Sequence, residues 1–290
     1  MRRQRPRLAT PARALLLLWT AGAGGCAHGT DPDVSTLASS SDQIIWDAAQ
    51  KALERRAWET ARQYLKRIVD GFPQSEFGPG ARLALGDTYF EEGGTASYIL
   101  AIGEYRQFLT FYPSHPRSDY AQFRVAEAYL KQKNPSDRDQ TSTRQALEEY
   151  QTLLEQHASS THAEEARQRI ATCRTSLAEA EFQVGYFYQR TRKAYRAAIK
   201  RYEGLLADYP DYSKLDEAIF RLSQCLSLTA RGAEALPRLA QLLEEYPQSR
   251  FAEPARALYR LLSQQAPTPA PAPHPTPSAS TSPVPPPPGP

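Results

Sequence analysis

The chain has 290 residues, 41% hydrophobic and 23% charged, with a formal net charge of +3. So small a net charge without a Lys/Arg stripe gives no electrostatic footprint for nucleic acid, and no apolar run reaches the roughly 20 residues of a membrane-spanning helix. The length suffices for one large helical array or two ordinary domains, but both ends have compositions that no packed core would have.

Residues 1–25 carry Arg2, Arg3, Arg5, Arg7 and Arg13 without an acid, then the apolar run Ala14–Trp19, then small residues. Basic, apolar and small in that order is the layout of a secretory signal peptide. Its removal takes away five positive charges, so the formal net charge falls from +3 to −2 and the basic balance belongs to the leader. The junction Ala23-Gly24-Gly25-Cys26 resembles a lipobox, with Ala23 where that motif usually has Leu. The resemblance implies cleavage before Cys26 and an N-acyl, S-diacylglycerol lipid on it; an ordinary secretory signal with an incidental cysteine is the alternative. Several acyl chains, at about 0.8 kcal/mol per buried methylene, would hold the protein firmly to a membrane. Ala27 follows, not the Asp that retains such lipoproteins at the inner membrane, so the sorting rule implies the outer membrane, on its periplasmic side. Residues 26–41, small and polar after Cys26, are expected to be a flexible tether.

From 42 to 265 one spacing recurs five times: Ala, a large residue four later, an apolar residue seven later and Pro twelve later. The instances are Ala61/Leu65/Ile68/Pro73, Ala101/Tyr105/Phe108/Pro113, Ala146/Tyr150/Leu153/Ala158, Ala198/Tyr202/Leu205/Pro210 and Ala235/Leu239/Leu242/Pro247, with Ala158 alone breaking the proline rule. Spacings of four and seven lie along one helical face, and the proline stops the helix. Each instance reads as the second helix of a pair, the construction of the tetratricopeptide repeat of about 34 residues. First helices are expected around Ile45–Ala52, Gly86–Tyr89, Ala126–Tyr129, Gly185–Tyr188 and Ile219–Leu226. Repeats are thus expected at about 42–75, 79–115, 117–160, 177–212 and 214–249, followed by a terminal capping helix. The third carries a polar loop from Gln132 to Thr143 between its helices. No alternating run suggests strands, so the predicted class is all-α, a right-handed superhelical array of five helical pairs.

The tail, 266–290, holds twelve prolines and no charged residue, a composition that cannot bury a core and is expected to be disordered. Cys173 and Cys225 match no metal spacing; they read either as buried free thiols or, in an oxidising compartment, as a disulfide. His157 and His162 are not on one helical face, and His115 reads as a turn residue in Pro-Ser-His-Pro. No phosphate loop, no Gly-x-Ser-x-Gly and no His-Glu-x-x-His is present, and the paired glutamates occupy solvent faces of helices. The sequence therefore predicts a scaffold without catalytic residues, metal or cofactor.

The segments between repeats carry a more specific likeness. Tyr112-Pro113-Ser114-His115-Pro116-Arg117-Ser118-Asp119-Tyr120, Asp137-Arg138-Asp139 and Leu177-Ala178-Glu179-Ala180-Glu181 follow in order, ahead of Arg201-Tyr202-Glu203-Gly204-Leu205-Leu206-Ala207-Asp208-Tyr209-Pro210. Over about 42–262 this series resembles the BamD (ComL) family of tetratricopeptide lipoproteins in the bacterial β-barrel assembly machine; the Pro-rich tail departs from it. The resemblance implies two binding regions. The N-terminal half would take C-terminal segments of unfolded outer-membrane β-barrel clients, and the C-terminal half would dock a POTRA domain of BamA, with Arg201 matching the family's interface arginine. Other lipoproteins of the machine are further partners that it allows. First helices line the concave side of such an array, and placing the repeats in register puts Trp46, Gln50, Asp87, Phe90, Tyr120, Phe123 and Glu127 on the N-terminal groove. A tetratricopeptide lipoprotein of another envelope machine, for pilus-secretin assembly or cell division, is the second reading.

Overall fold

The structure, a computed structural model, describes residues 41–265. The expected signal peptide, Cys26, the expected tether up to residue 40 and the Pro-rich tail lie outside the described residues. Among those described there are eleven α-helices and no strand: α1 (Asp42–Glu54), α2 (Trp58–Gly71), α3 (Gly78–Glu92), α4 (Thr95–Phe111), α5 (Ser118–Lys131), α6 (Thr141–Gln156), α7 (Ala163–Phe187), α8 (Tyr195–Asp208), α9 (Leu215–Leu228), α10 (Gly232–Glu245) and α11 (Ala252–Gln265). Each helix packs on the one before and the one after it, giving five antiparallel pairs with α11 closing the end.

The recurring spacing is the core of every second helix. All fifteen Ala, large and apolar positions of the five instances are fully buried, on α2, α4, α6, α8 and α10. Burial of each large member contributes roughly 1.5–3 kcal/mol, and the small Ala lets the neighbouring helix approach. The residue after each second helix takes nearly one conformation: Phe72, Tyr112, His157, Tyr209 and Tyr246 all lie at φ −128° to −132° with ψ 54° to 69°. A following proline disfavours helix at such a residue. His157, which precedes Ala158, adopts the same geometry, so the turn is held by more than proline. Its carbonyl accepts the Ser160 N–H at 2.9 Å, as Phe72 accepts from Ser75 at 2.9 Å and Tyr246 from Ser249 at 3.0 Å.

Three features depart from the sequence reading. The first helix of the fourth pair begins at Ala163, not near 177, and runs 25 residues. Its first half buries Ala166 and Cys173 against α5 and α6, whereas Ala178 and Phe182 pack with α8 and α9, so one helix ties two core clusters together. That helix ends in a π-helical turn, Tyr188–Arg192, closed by Lys193 at φ 54°, so Tyr188 begins the turn and lies beyond α7. The polar loop of the third pair stops at Gln140, whose buried side-chain amide donates to Pro135 O at 2.7 Å and Arg138 O at 3.1 Å. The cysteines sit in separate clusters, free and buried, each thiol pushed up to about 11 by burial.

Between the fourth and fifth pairs, Lys214 and Tyr212 donate to Glu179 on α7, Lys214 at 2.8 Å. Burial opposes ionisation of Glu179, but the hydrogen bonds from Lys214, Tyr212 and Gln183 outweigh it and hold its pKa below the ordinary 4.5. A carboxylate with a depressed folded pKa stabilises above its unfolded value and loses that contribution as pH falls through the folded one. Thermal stability is therefore expected to drop as pH falls from about 4.5. In Glu179→Gln, thermal scans against pH should show a shallower drop over that range; an unchanged slope would remove Glu179 from the account.

Candidate binding surface

The face built by the first helices is organised around tyrosines that reach out of the core. Tyr105, buried on α4, donates from its hydroxyl to Asp87 on α3 at 2.7 Å, and Tyr120 on α5 donates to the same carboxylate oxygen at 2.7 Å. Arg124 completes this cluster, donating to the Tyr105 hydroxyl at 3.2 Å and to Glu91 at 3.1 Å while lying 3.6 Å over the Phe90 ring. Burial pushes both phenols above their ordinary pKa, and the Asp87 charge adds to it, so they remain donors. One repeat on, Tyr150 donates to Glu127, which also faces Arg169 at 2.9 Å. In the fourth pair Tyr202 donates to Gln189 at 3.1 Å, and Arg221 lies 5.0 Å over the Tyr186 ring.

Arg124, Arg169 and Arg221 are positions on this face that the sequence reading missed. Each stands three residues after a buried alanine of a first helix, Ala121, Ala166 and Ala218, and that register is the signal that could have found them. Each reaches back to the preceding first helix, to Asp87, Glu127 and Tyr186, so the face is stitched from repeat to repeat. Arg62 on α2 plays a comparable part in the first pair: nearly buried, it binds Glu59 at 2.9 Å and Glu92 at 3.1 Å and lies 4.7 Å over Tyr89.

Of the seven groove positions, four keep accessible surface. Trp46, partly exposed, stacks on Phe77 at 5.5 Å with the outer edge of its ring against Gly80, Gln50 is partly exposed one turn further along α1, and Asp87 and Tyr120 share the cluster above. Phe90, Phe123 and Glu127 are a correction, since at 7–8% exposure they belong to the packing and not to an open groove. Phe90 lies beneath Arg124, Phe123 stacks on His162 at 4.7 Å, and Glu127 is enclosed by Tyr150 and Arg169. Arg201, on α8, projects off the packed side: it is 45% exposed and pairs with Glu181 on α7 at 2.9 Å.

The histidines hold local structure. His115 Nδ1 accepts the Arg117 N–H at 3.1 Å and its ring meets Phe108 edge-on, while His157 ends α6. Among the described residues no group of three or more His, Cys, Asp or Glu side chains could hold a metal ion, and no helix is long and apolar enough to cross a membrane.

Helical pairs with a core tyrosine and a charged first-helix face define an all-α repeat array of the tetratricopeptide class, and the tetratricopeptide repeat profile matches residues 217–249. The outer membrane lipoprotein profile YfiO matches residues 38–230, two thirds of the chain, and the chain belongs to that family. It is similar to the outer membrane protein assembly factor BamD of Caulobacter vibrioides, 26% identical over 247 residues, covering 85% of this chain and 79% of that one. The BamD of Vibrio cholerae is 26% identical over 238 residues, covering 77% and 93% respectively. That of Neisseria meningitidis serogroup B is 24% identical and covers 78% and 88%.

Proposed function

We propose that the chain is a lipid-anchored, non-catalytic scaffold of the β-barrel assembly machine, joining BamA to unfolded outer-membrane β-barrel clients. The observation that carries this reading is the unbroken family match over residues 38–230, which takes in both the α1–α5 face and α8 with Arg201. Curated relatives aligned over most of the array share the name of outer membrane protein assembly factor.

Client segments are amphipathic strands that end in an aromatic residue. The partly exposed Trp46, the Gln50 amide and the Tyr120 ring offer a partly apolar strip beside the Asp87–Arg124 charges, a fit for alternating apolar and polar side chains. A photo-crosslinking side chain at Gln50 should capture the C-terminal segment of a β-barrel client. The same group at Gln63, exposed on the second helix α2, should not. Equal capture at both sites would contradict the groove.

Attachment is assigned to the lipid on Cys26. Cys26→Ala is expected to leave the outer-membrane fraction, recovered in the soluble periplasm or as uncut precursor. Its persistence with outer membranes after salt washing would contradict a single-point lipid anchor.

A further inference from the structure

The C-terminal half holds a second recess, apart from the α1–α5 face. Between α9 and α11 runs a trough of about 500 Å³ whose walls are Phe220, Gln224 and Leu228 on one side and Ala257, Leu258 and Leu261 on the other. Leu228 is 60% and Leu261 51% exposed, so these apolar side chains have little cover among the described residues. The floor is fixed: Tyr202 donates to Gln189, whose amide donates to Gln224 at 3.1 Å. Arg190 and Lys193, from the π turn and its end, close the trough, and no acidic residue lines it.

The segment that supplies these two cations is unusual in charge. Between Glu181 and Glu203 the chain carries six cations and no acid. Among the described residues Arg201 alone of the six has a carboxylate partner, Glu181, and exposed Arg190, Arg192, Lys193 and Arg196 have none. Neighbouring cations that repel one another at a helix hairpin gain most from an acidic partner.

We infer that this trough binds an acidic amphipathic helix of a partner protein, its apolar stripe between α9 and α11 and its carboxylates on Arg190 and Lys193. The wall residues recur at i, i+4, i+8 on α9 and i, i+1, i+4 on α11, the spacing against which a third helix packs. The other occupants fit less well. A second copy would bring the same cations to the same rim, and residues 266–290 have no charged side chain to answer them. A lipid surface needs protruding apolar side chains, whereas these line a recess over a Gln189–Gln224 floor.

The test is a phage-displayed library of amphipathic 15-residue helices selected on the full-length protein, with the best peptide measured by fluorescence anisotropy. Selected peptides are expected to carry apolar residues at i, i+3, i+4 and i+7 with Asp or Glu clustered at one end. Arg190→Glu with Lys193→Glu should weaken binding about tenfold or more, as should Leu228→Glu, with helical content unchanged. Arg106→Glu, far from the trough on α4, should leave affinity as it was. Selection without acidic enrichment, or binding indifferent to the trough substitutions, would overturn the proposal. So would vesicle binding with phosphatidylglycerol that the same substitutions abolish when no peptide is selected, which assigns the rim to lipid. Self-association abolished by them would assign it to a second copy.

Discussion

Gly86→Ala is expected to destabilise the array by about 1–3 kcal/mol, although alanine is the better helix former by about 1 kcal/mol. A Cβ on Gly86 would stand 2.5 Å from Tyr105 Cε1 and 2.7 Å from Cδ1, closer than carbon atoms tolerate. The ring cannot give way readily, because it is fully buried and its hydroxyl is tied to Asp87 and Arg124. Gly185, against Tyr202 at 2.8 Å, repeats the arrangement in the fourth pair. Gly103 on α4 and Gly204 on α8 have nothing within 4 Å of an added Cβ, and alanine at either is expected to stabilise by about 0.5–1 kcal/mol. Thermal unfolding of the four variants should split them by sign, with loss at Gly86 and Gly185 and gain at Gly103 and Gly204. A gain at Gly86 would show that helix propensity outweighs the glycine–tyrosine contact.

The same contrast shows what was legible beforehand. Ala61/Leu65/Ile68 and its four counterparts could be read because burial along one helical face imposes a period that sequence carries directly. The lipobox and Pro-rich tail lie outside the described residues, and the expectations for them rest on the local sequence alone. The length of α7 could not: Ala166, Ile170 and Cys173 carry the Ala, four-later and seven-later spacing but have Ala178 in place of the closing proline, and the stretch packs on α6 while its later half serves α8. Glu127 reads as a polar surface residue, yet Tyr150 and Arg169, 23 and 42 positions away, enclose it. Its burial depends on pairings across repeats, which no local pattern records. Phe90 and Phe123 failed as groove contacts for a related reason: sequence register gives the helical face, but the long Arg124 and the His162 ring cover them from the next repeat.

Arg201→Glu is the substitution expected to have the largest effect on partnership with the least on folding. Its one ion pair among the described residues, with Glu181 at 2.9 Å, is solvent-exposed, and such pairs contribute about 0–1 kcal/mol. The neighbouring core of Tyr202 and Leu205 is untouched, so helical content and unfolding temperature should stay near those of the parent. At an interface with an acidic surface, reversal places like charges together, which costs more than a missing contact and should reduce BamA recovery about tenfold or more. Arg201→Ala should fall between the two, and an acid-to-basic change on the POTRA side should restore binding to the reversed form.

Affinity purification of the tagged, full-length lipoprotein from its native outer membranes, scored for BamA, tests the assembly-scaffold reading most directly. The account predicts BamA in amounts close to those of the bait and markedly less with Arg201→Glu; recovery of the unmutated, membrane-bound protein without BamA would contradict it.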